Sequence, residues 1–315
     1  MATKLKAVLQ YRASPGFRQR IAALSFPTVI VDETDKDAFR REMCDAEILL
    51  HVLEPVTAAV IDAAPRLRLI QKIGIGVNTI DLEVATRRGI SVCNMPGTNT
   101  QAVAEMTLLL MLATLRRLAQ LDALTRAGKG WEFERELPDD LGELAGRRVG
   151  LVGFGAVARR LVPMLQAIGA DVLYTSRRAI PDIPVQFLPF REILGVADVL
   201  SLHLPLTPET TGIIDAAALA AMRRGSVLIN TARGPLVDAV ALRDALASGH
   251  LRGAGLDVFS REPVAADDPL LQLPNIVVAP HLAWLTVETL ERSLAVIAEN
   301  CRRLSVGEPL LHQVV

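Results

Sequence analysis

The chain has 315 residues, 50% hydrophobic and 22% charged, with a formal net charge of −1, a length that allows one large or two medium domains. That balance excludes the strongly basic surface that nucleic-acid binding needs. The longest apolar run, Met106–Leu115, is interrupted by Thr107 and Thr114 and falls well short of the ~20 residues that cross a bilayer, so no membrane partner is expected.

The N-terminal residues lead straight into a strand-like run with no signal peptide in view, which predicts a cytoplasmic protein. Cys44, Cys93 and Cys301 lie far apart without ligand spacing. They read as reduced core thiols, and no metal site is expected.

Along the chain, short β-type runs alternate with amphipathic segments, the pattern of α/β layers built on parallel sheets. Strands are expected near Ala7–Leu9, Val29–Val31, Ile48–Leu50, Leu69–Gln71 and Ile90–Val92. After them, Pro96-Gly97 marks a crossover to a second unit. A long helix is predicted over Thr98–Leu124, with Thr98 or Asn99 able to cap its start. Its apolar residues cover the whole circumference, and such a helix must be buried on all sides. Either it is a core helix between the units or it also packs against a second subunit.

Further strands are expected at Val149–Val152, Val172–Thr175, Val199–His203, Val227–Asn230, Gly255–Val258 and Ile276–Ala279. Pro280 marks a second crossover, and the residues from Leu285 onwards read as an amphipathic helix returning to the first unit.

The first of these later strands runs into Gly153-Phe154-Gly155-Ala156-Val157-Ala158, a G-x-G-x-x-A turn opening a helix. The first glycine permits the tight turn, the second lets a pyrophosphate approach the backbone, and the small third residue allows close helix–strand packing. The pyrophosphate would sit on the free N–H groups of the helix that starts at Ala156. A glycine triplet alone is weak evidence, but here a strand precedes it, a helix follows and a second strand arrives on time.

In dinucleotide sites an acid about 20 residues further on grips the ribose 2′-hydroxyl. Here the strand ends instead in Ser176-Arg177-Arg178. Two arginines could simply be solvated surface. Without a carboxylate to repel it, a 2′-phosphate is the better fit, because guanidinium binds phosphate bidentately. The expected cofactor is NADP(H) in preference to NAD(H).

Downstream, Arg233 in N-T-A-R-G, Glu262 in D-V-F-S-R-E-P and His281 in A-P-H each follow the carboxyl end of an expected parallel strand, the edge where open α/β sheets bind ligands. Singly they read as a surface Arg, a surface Glu and a satisfied buried His. Together, beside a dinucleotide site, they form an acid–base set. His281 can give a proton to a carbonyl oxygen as hydride arrives at its carbon. Glu262 can orient the ring and favour its charged form, and Arg233 can hold a substrate carboxylate.

These segments resemble the D-isomer-specific 2-hydroxyacid dehydrogenase family. The likeness rests on the glycine turn at Gly153, L-H-L-P-L-T at Leu202–Thr207, N-T-A-R-G at Asn230–Gly234, G-L-D-V-F-x-x-E-P at Gly255–Pro263, Pro280-His281, I-G-I-G-V-N-T-I-D at Ile73–Asp81 and N-T-Q-A-V-A-E at Asn99–Glu105. It covers essentially the whole chain. It implies two Rossmann-like, doubly wound parallel-sheet domains with a cleft between them. Residues 1–98 and 285–315 would form a discontinuous substrate domain, and residues 99–284 the dinucleotide-binding domain. It also implies a homodimer through the helix 99–124.

By the same resemblance, Arg233, Glu262 and His281 are catalytic. Gly153, Phe154, Gly155, Ala156, Val157, Ser176, Arg177, Arg178, Pro205, Thr231, Ala232 and Asp257 would hold the cofactor, with Asp257 accepting from the carboxamide. Leu53, Ile75, Gly76, Arg233 and Trp284 would meet the substrate. Of the remaining histidines, which read as structural, His51 is the one placed to approach substrate from the Leu50–Glu54 loop.

The chain departs from the family's pattern at the missing strand-end acid and at Ala158. Its end soon after the return helix suggests that it lacks the regulatory extension of some phosphoglycerate dehydrogenases. The H-x-x-W of His281–Trp284 looks like hydroxypyruvate and glyoxylate reductases, and also like the C-terminal-binding-protein corepressors. The leading expectation is therefore an NADPH-dependent reductase of a small 2-keto acid, and the alternative is a cofactor-gated, corepressor-like binding protein. The intact Arg, Glu and His favour the enzyme.

Overall fold

The computed structural model describes residues 5–132 and 137–315. Contacts divide the chain into two units, one running to Asn99 and resuming at Leu285, the other spanning Thr100–Trp284.

In the first unit five strands, β1 (Ala7–Gln10), β2 (Thr28–Val31), β3 (Ile48–His51), β4 (Leu69–Lys72) and β5 (Ser91–Cys93), form one sheet in the order β2-β1-β3-β4-β5. All pairs are parallel. Every residue of β3 and β4 is buried, as the uninterrupted apolar run Ile48-Leu49-Leu50 requires of a strand covered on both faces. The helix Val287–Val306 belongs to this unit. Its buried Asn300 donates to Gln71 Oε1 at 2.6 Å and accepts from Leu311 N at 2.7 Å, tying the C-terminal segment to β4.

The second unit holds seven parallel strands: β6 (Arg148–Val152), β7 (Asp171–Thr175), β8 (Gln186–Phe187), β9 (Val199–Leu202), β10 (Val227–Asn230), β11 (Gly253–Leu256) and β12 (Ile276–Val278). Their order is β12-β11-β10-β9-β6-β7-β8. The chain moves outward from β6 through β8, then returns to the other side of β6, so the topological switch lies between β6 and β9, where doubly wound sheets open a ligand crevice. Apolar clusters around Leu200, Leu228 and Leu256 and around Leu151, Leu161 and Ile229 fill the unit's core.

Several expectations change. The single helix over Thr98–Leu124 is two helices, Thr100–Leu115 and Leu118–Arg126, separated by Arg117 in the left-handed region at φ 48°. Tertiary contacts outweigh local propensity at this break. Gly142 N donates to the Leu115 carbonyl at 2.9 Å, and the Arg117 guanidinium pairs with Asp140 at 2.7 Å.

Nor is the first of these helices covered all round by its own chain, since Leu109 is 53% and Leu112 37% exposed. Its other face lies close on β10 and β11. A Cβ on Gly253 would come within 2.8 Å of Thr114, and one on Gly255 within 3.0 Å of Leu110, so β11 uses glycines to let the helix approach. That strand begins and ends two residues earlier than expected, leaving Asp257 just past its end. The two-residue strand β8 is too short to leave a periodic signal. Cys44 is exposed rather than a core thiol, whereas Cys93 and Cys301 are buried, and burial pushes their thiols up to about 11 and about 12.

Candidate active site

The glycine turn joins β6 to the helix Ala156–Ile168. Gly153 has φ 93°, and a Cβ there would sit 2.5 Å from the His203 carbonyl oxygen. Position and conformation therefore both demand glycine. Gly155, by contrast, has an ordinary φ of −82°, and a Cβ on it would meet nothing within 4 Å. No side chain caps the helix that Gly155 opens. Ala158 is fully buried against the sheet. Phe154 packs at a tilt against Tyr174 of β7 at 4.3 Å between centroids, and the Arg159 guanidinium lies 5.1 Å from the Phe154 centroid.

Past β7, Ser176 donates through its hydroxyl to the Arg178 carbonyl at 2.5 Å. This closes a tight turn that leaves Arg177 and Arg178 exposed. Pro205 follows β9, and its carbonyl accepts from Thr210 Oγ1 at 2.7 Å.

Past β10 the loop Thr231-Ala232-Arg233 is clipped by the buried Asn230, which accepts from Ala232 N at 3.0 Å and donates to the Arg233 carbonyl at 2.9 Å. Thr231 Oγ1 meets Thr107 Oγ1 of the neighbouring helix at 2.9 Å. Arg233 Nη1 donates to the Ala232 carbonyl at 2.6 Å. Burial draws its guanidinium below the usual arginine range, partly offset by the Glu262 carboxylate.

Glu262 and His281 reach each other from the loops after β11 and β12. His281 Nδ1 lies 2.6 Å from Glu262 Oε2, and Glu262 Oε1 accepts from Phe259 N at 2.8 Å. Burial would raise the Glu262 carboxyl, but the bonds from His281 and Phe259 and the charges of His281 and Arg233 outweigh it. The group is held below its ordinary range.

His281 sits at φ 56°, a conformation costly for a non-glycine residue. Four hydrogen bonds hold it there. His281 N donates to the Asp257 carbonyl at 2.7 Å, Trp284 Nε1 donates to the His281 carbonyl at 3.1 Å, and the buried Asp257 carboxylate accepts from Leu282 N and Ala283 N at 2.9 Å each. Burial raises the Asp257 carboxyl, while those two N–H donors oppose the rise. Asp257 and the buried Trp284 thus brace the His281 turn, a use that the sequence reading did not foresee for either.

Leu53, Ile75 and Gly76 belong to the first unit, past the carboxyl ends of β3 and β4, where Leu53 and Ile75 are exposed. Asn94 Nδ2 donates to the Ile75 carbonyl at 3.0 Å and Met95 N to the Gly74 carbonyl at 2.8 Å, so the loop's backbone is fixed. His51 keeps the structural place read for the remaining histidines. It ends β3 with 3% exposure, and its Nε2 sits 2.7 Å from the Glu54 carbonyl, so the turn captures the ring.

A family model described as D-isomer specific 2-hydroxyacid dehydrogenase, NAD binding domain, matches residues 108–283. The chain belongs to this family. A D-3-phosphoglycerate dehydrogenase of Mycobacterium leprae is 39% identical over 285 residues, 88% of this chain and 53% of its own. The chain therefore spans about half the length of that relative. A glyoxylate reductase of Korarchaeum cryptofilum is 38% identical over 270 residues, 84% of this chain and 81% of its own. Among solved structures, an NADPH-dependent glyoxylate/hydroxypyruvate reductase of Sinorhizobium meliloti, in complex with NADP and malonate, superposes with a TM-score of 0.84 at 28% identity, covering 99% of this chain and 97% of its own.

Within this 2-hydroxyacid dehydrogenase fold, sequence reasoning missed the residues that aim the site. Asn230 acts through the two bonds of its amide and Phe259 through its backbone N–H, and only these contacts reveal them. Gly234 had a signal. A Cβ on it would fall 1.9 Å from the Phe259 carbonyl carbon and 2.0 Å from its oxygen, so the glycine closing N-T-A-R-G lets the Glu262 loop lie on the Arg233 loop.

Proposed function

We propose that the protein reduces a small 2-keto acid of the glyoxylate or hydroxypyruvate type to the D-2-hydroxy acid with NADPH. The observation that carries this reading is the 2.6 Å pairing of His281 with Glu262, next to the loop that bears the carboxylate-binding candidate Arg233. The same pair favours an enzyme over a corepressor-like sensor, which has no need of an aimed proton donor.

The residues present fit a dinucleotide. The space beside Gly155 and the uncapped N–H groups of the following helix suit a pyrophosphate. The exposed Arg177 and Arg178 suit a 2′-phosphate, with the Glu209 carboxylate near enough to feel the Arg177 charge. The NADPH dependence named for the Sinorhizobium reductase supports the choice of NADP(H), although the matching family model is described by NAD. Phe154, Ala156, Val157, Pro205, Thr231, Ala232 and Asp257 complete this side of the site. When bound, the reduced nicotinamide supplies a hydride to the keto carbon.

The chain's residues do the remainder. Glu262 engages Nδ1–H of His281, which leaves Nε2 to give its proton to the keto oxygen as charge gathers there. Arg233 grips the substrate carboxylate with parallel N–H bonds. Leu53, Ile75, Gly76 and Trp284 bound the substrate. The Thr100–Trp284 unit thus carries the cofactor loops and the acid–base set, and the other unit supplies Leu53, Ile75 and Gly76.

We assign the exposed Leu109, Leu112 and Leu118 to a contact with a second copy, since an unpaired apolar stripe of this kind marks an association surface. Exposed free Cys44 fits a reducing, cytoplasmic compartment. Among the described residues no helix is long and apolar enough to cross a membrane.

A panel of 2-keto acids, each assayed with NADPH and with NADH at the nicotinamide absorbance, tests the reading. Turnover of glyoxylate or hydroxypyruvate with higher kcat/KM for NADPH supports it. A preference for NADH overturns the cofactor choice, and no turnover on any member overturns the enzyme.

A further inference from the structure

We propose that Tyr174 is a positioning residue for cofactor selection: its buried hydroxyl holds the arginine loop in the shape that receives a 2′-phosphate. The inference rests on the NADP(H) reading above. Tyr174 lies in β7 with 1% exposure. Its ring is clamped between Phe154 of the glycine turn, at 4.3 Å, and Phe187 of β8, at 5.5 Å, so its hydroxyl has a fixed address. That address is the far end of the loop that leaves the strand. Ile180 N donates to Tyr174 Oη at 2.8 Å, and the hydroxyl proton points back to the Ile180 carbonyl at 3.4 Å.

The loop therefore has two anchors. At its start, Gly153 N donates to the Thr175 carbonyl at 2.9 Å. At its end, Tyr174 holds the backbone of Ile180, whose side chain packs on the core around Leu151 and Leu161. Between the anchors, the Ser176–Arg178 bond closes the turn. Arg177 and Arg178 are exposed, and long exposed side chains lose rotamer entropy when they grip a ligand. A backbone fixed at both ends confines that loss to the side chains, whereas a loose one adds its own ordering cost to every phosphate bound.

A phenylalanine at position 174 would keep the ring packing and the strand and remove only the tether. The half-buried Ile180 N–H would then lose its partner, at a cost typical of one hydrogen bond. That loss falls on the loop that meets the 2′-phosphate and not on the pyrophosphate turn. The consequence is selective: NADPH suffers and NADH does not.

The experiment measures Kd for NADPH and for NADH by direct titration without keto acid, and kcat/KM for each at saturating keto acid, in the wild type, Tyr174→Phe and Ile180→Ala. The last variant loosens the same end of the loop from a partly exposed position and serves if Tyr174→Phe does not fold. A wild type without NADPH preference overturns the cofactor reading and the inference with it. Given that preference, either folded variant is expected to raise Kd and lower kcat/KM for NADPH by about three- to tenfold, with both values for NADH unchanged. An unchanged NADPH:NADH ratio, or an equal loss with both cofactors, overturns the positioning role and leaves the cofactor reading intact.

Discussion

Glu262 Oε2 lies 2.6 Å from His281 Nδ1 while Glu262 Oε1 accepts from Phe259 N at 2.8 Å. One carboxylate thus orients the imidazole and is itself oriented by its own loop. Glu262→Gln keeps the shape and loses the charge. Replacing a charge-assisted bond in this way is expected to lower kcat by about 10- to 100-fold, with KM for NADPH unchanged, as steady-state kinetics with a turned-over keto acid will report.

The proposed function assigns Arg233 to a different step. Arg233→Ala removes the paired N–H donors that suit a carboxylate and is expected to raise KM for the keto acid by about 100-fold. Arg233→Lys should recover little of it, because an ammonium lacks the planar fork. A KM for keto acid that stayed at the wild-type value in Arg233→Ala would remove Arg233 from the substrate site.

Gly234 sets the spacing between these two residues. Its Cβ would fall 1.9 Å from the Phe259 carbonyl carbon, so Gly234→Ala must push the Phe259–Glu262 loop away from the Arg233 loop. A displacement of about 1 Å at a catalytic group can cost about 100-fold in rate. The prediction is a loss of kcat of that order in a protein that still binds NADPH. Wild-type kcat in a folded Gly234→Ala would show that the loop tolerates the shift.

Much of this was legible in the sequence, and the limits are physical. Parallel strands buried on both faces write themselves as apolar runs, so both sheets could be read from Ile48-Leu49-Leu50, Val227–Asn230 and their like. Gly153, Arg233, Glu262 and His281 stood out because the edge of a parallel sheet gives polar residues a predictable place. What the chain could not declare were contacts made at a distance. The break at Arg117 depends on Asp140 and Gly142, and the bracing of His281 on Asp257. None of these partners leaves a periodic or motif signal.

Buried His51 predicts a pH dependence of stability. Burial, and then the charge of Lys72, lower it from 6.5 to about 3, against the opposing bond to the Glu54 carbonyl. Between those values the unfolded chain binds a proton that the folded chain refuses. Its contribution is therefore fully present above about pH 6.5 and is lost as pH falls toward 3. At pH 5 the loss is about 2 kcal/mol relative to pH 7.5. His203, which burial lowers to about 4, adds an effect of the same sign. Urea midpoints at the two pH values should show the drop, and His51→Gln should shrink it; an equal drop in that variant would assign the effect elsewhere.

The central claim is that His281 delivers a proton to a 2-keto acid reduced by NADPH. Its most direct test is the rate of NADPH oxidation with glyoxylate and hydroxypyruvate by the wild type and by His281→Ala, alongside the Kd of each protein for NADPH. The account predicts a kcat lower by about 10²–10⁴-fold in the variant, with Kd for NADPH unchanged. Equal kcat in the two proteins would contradict it.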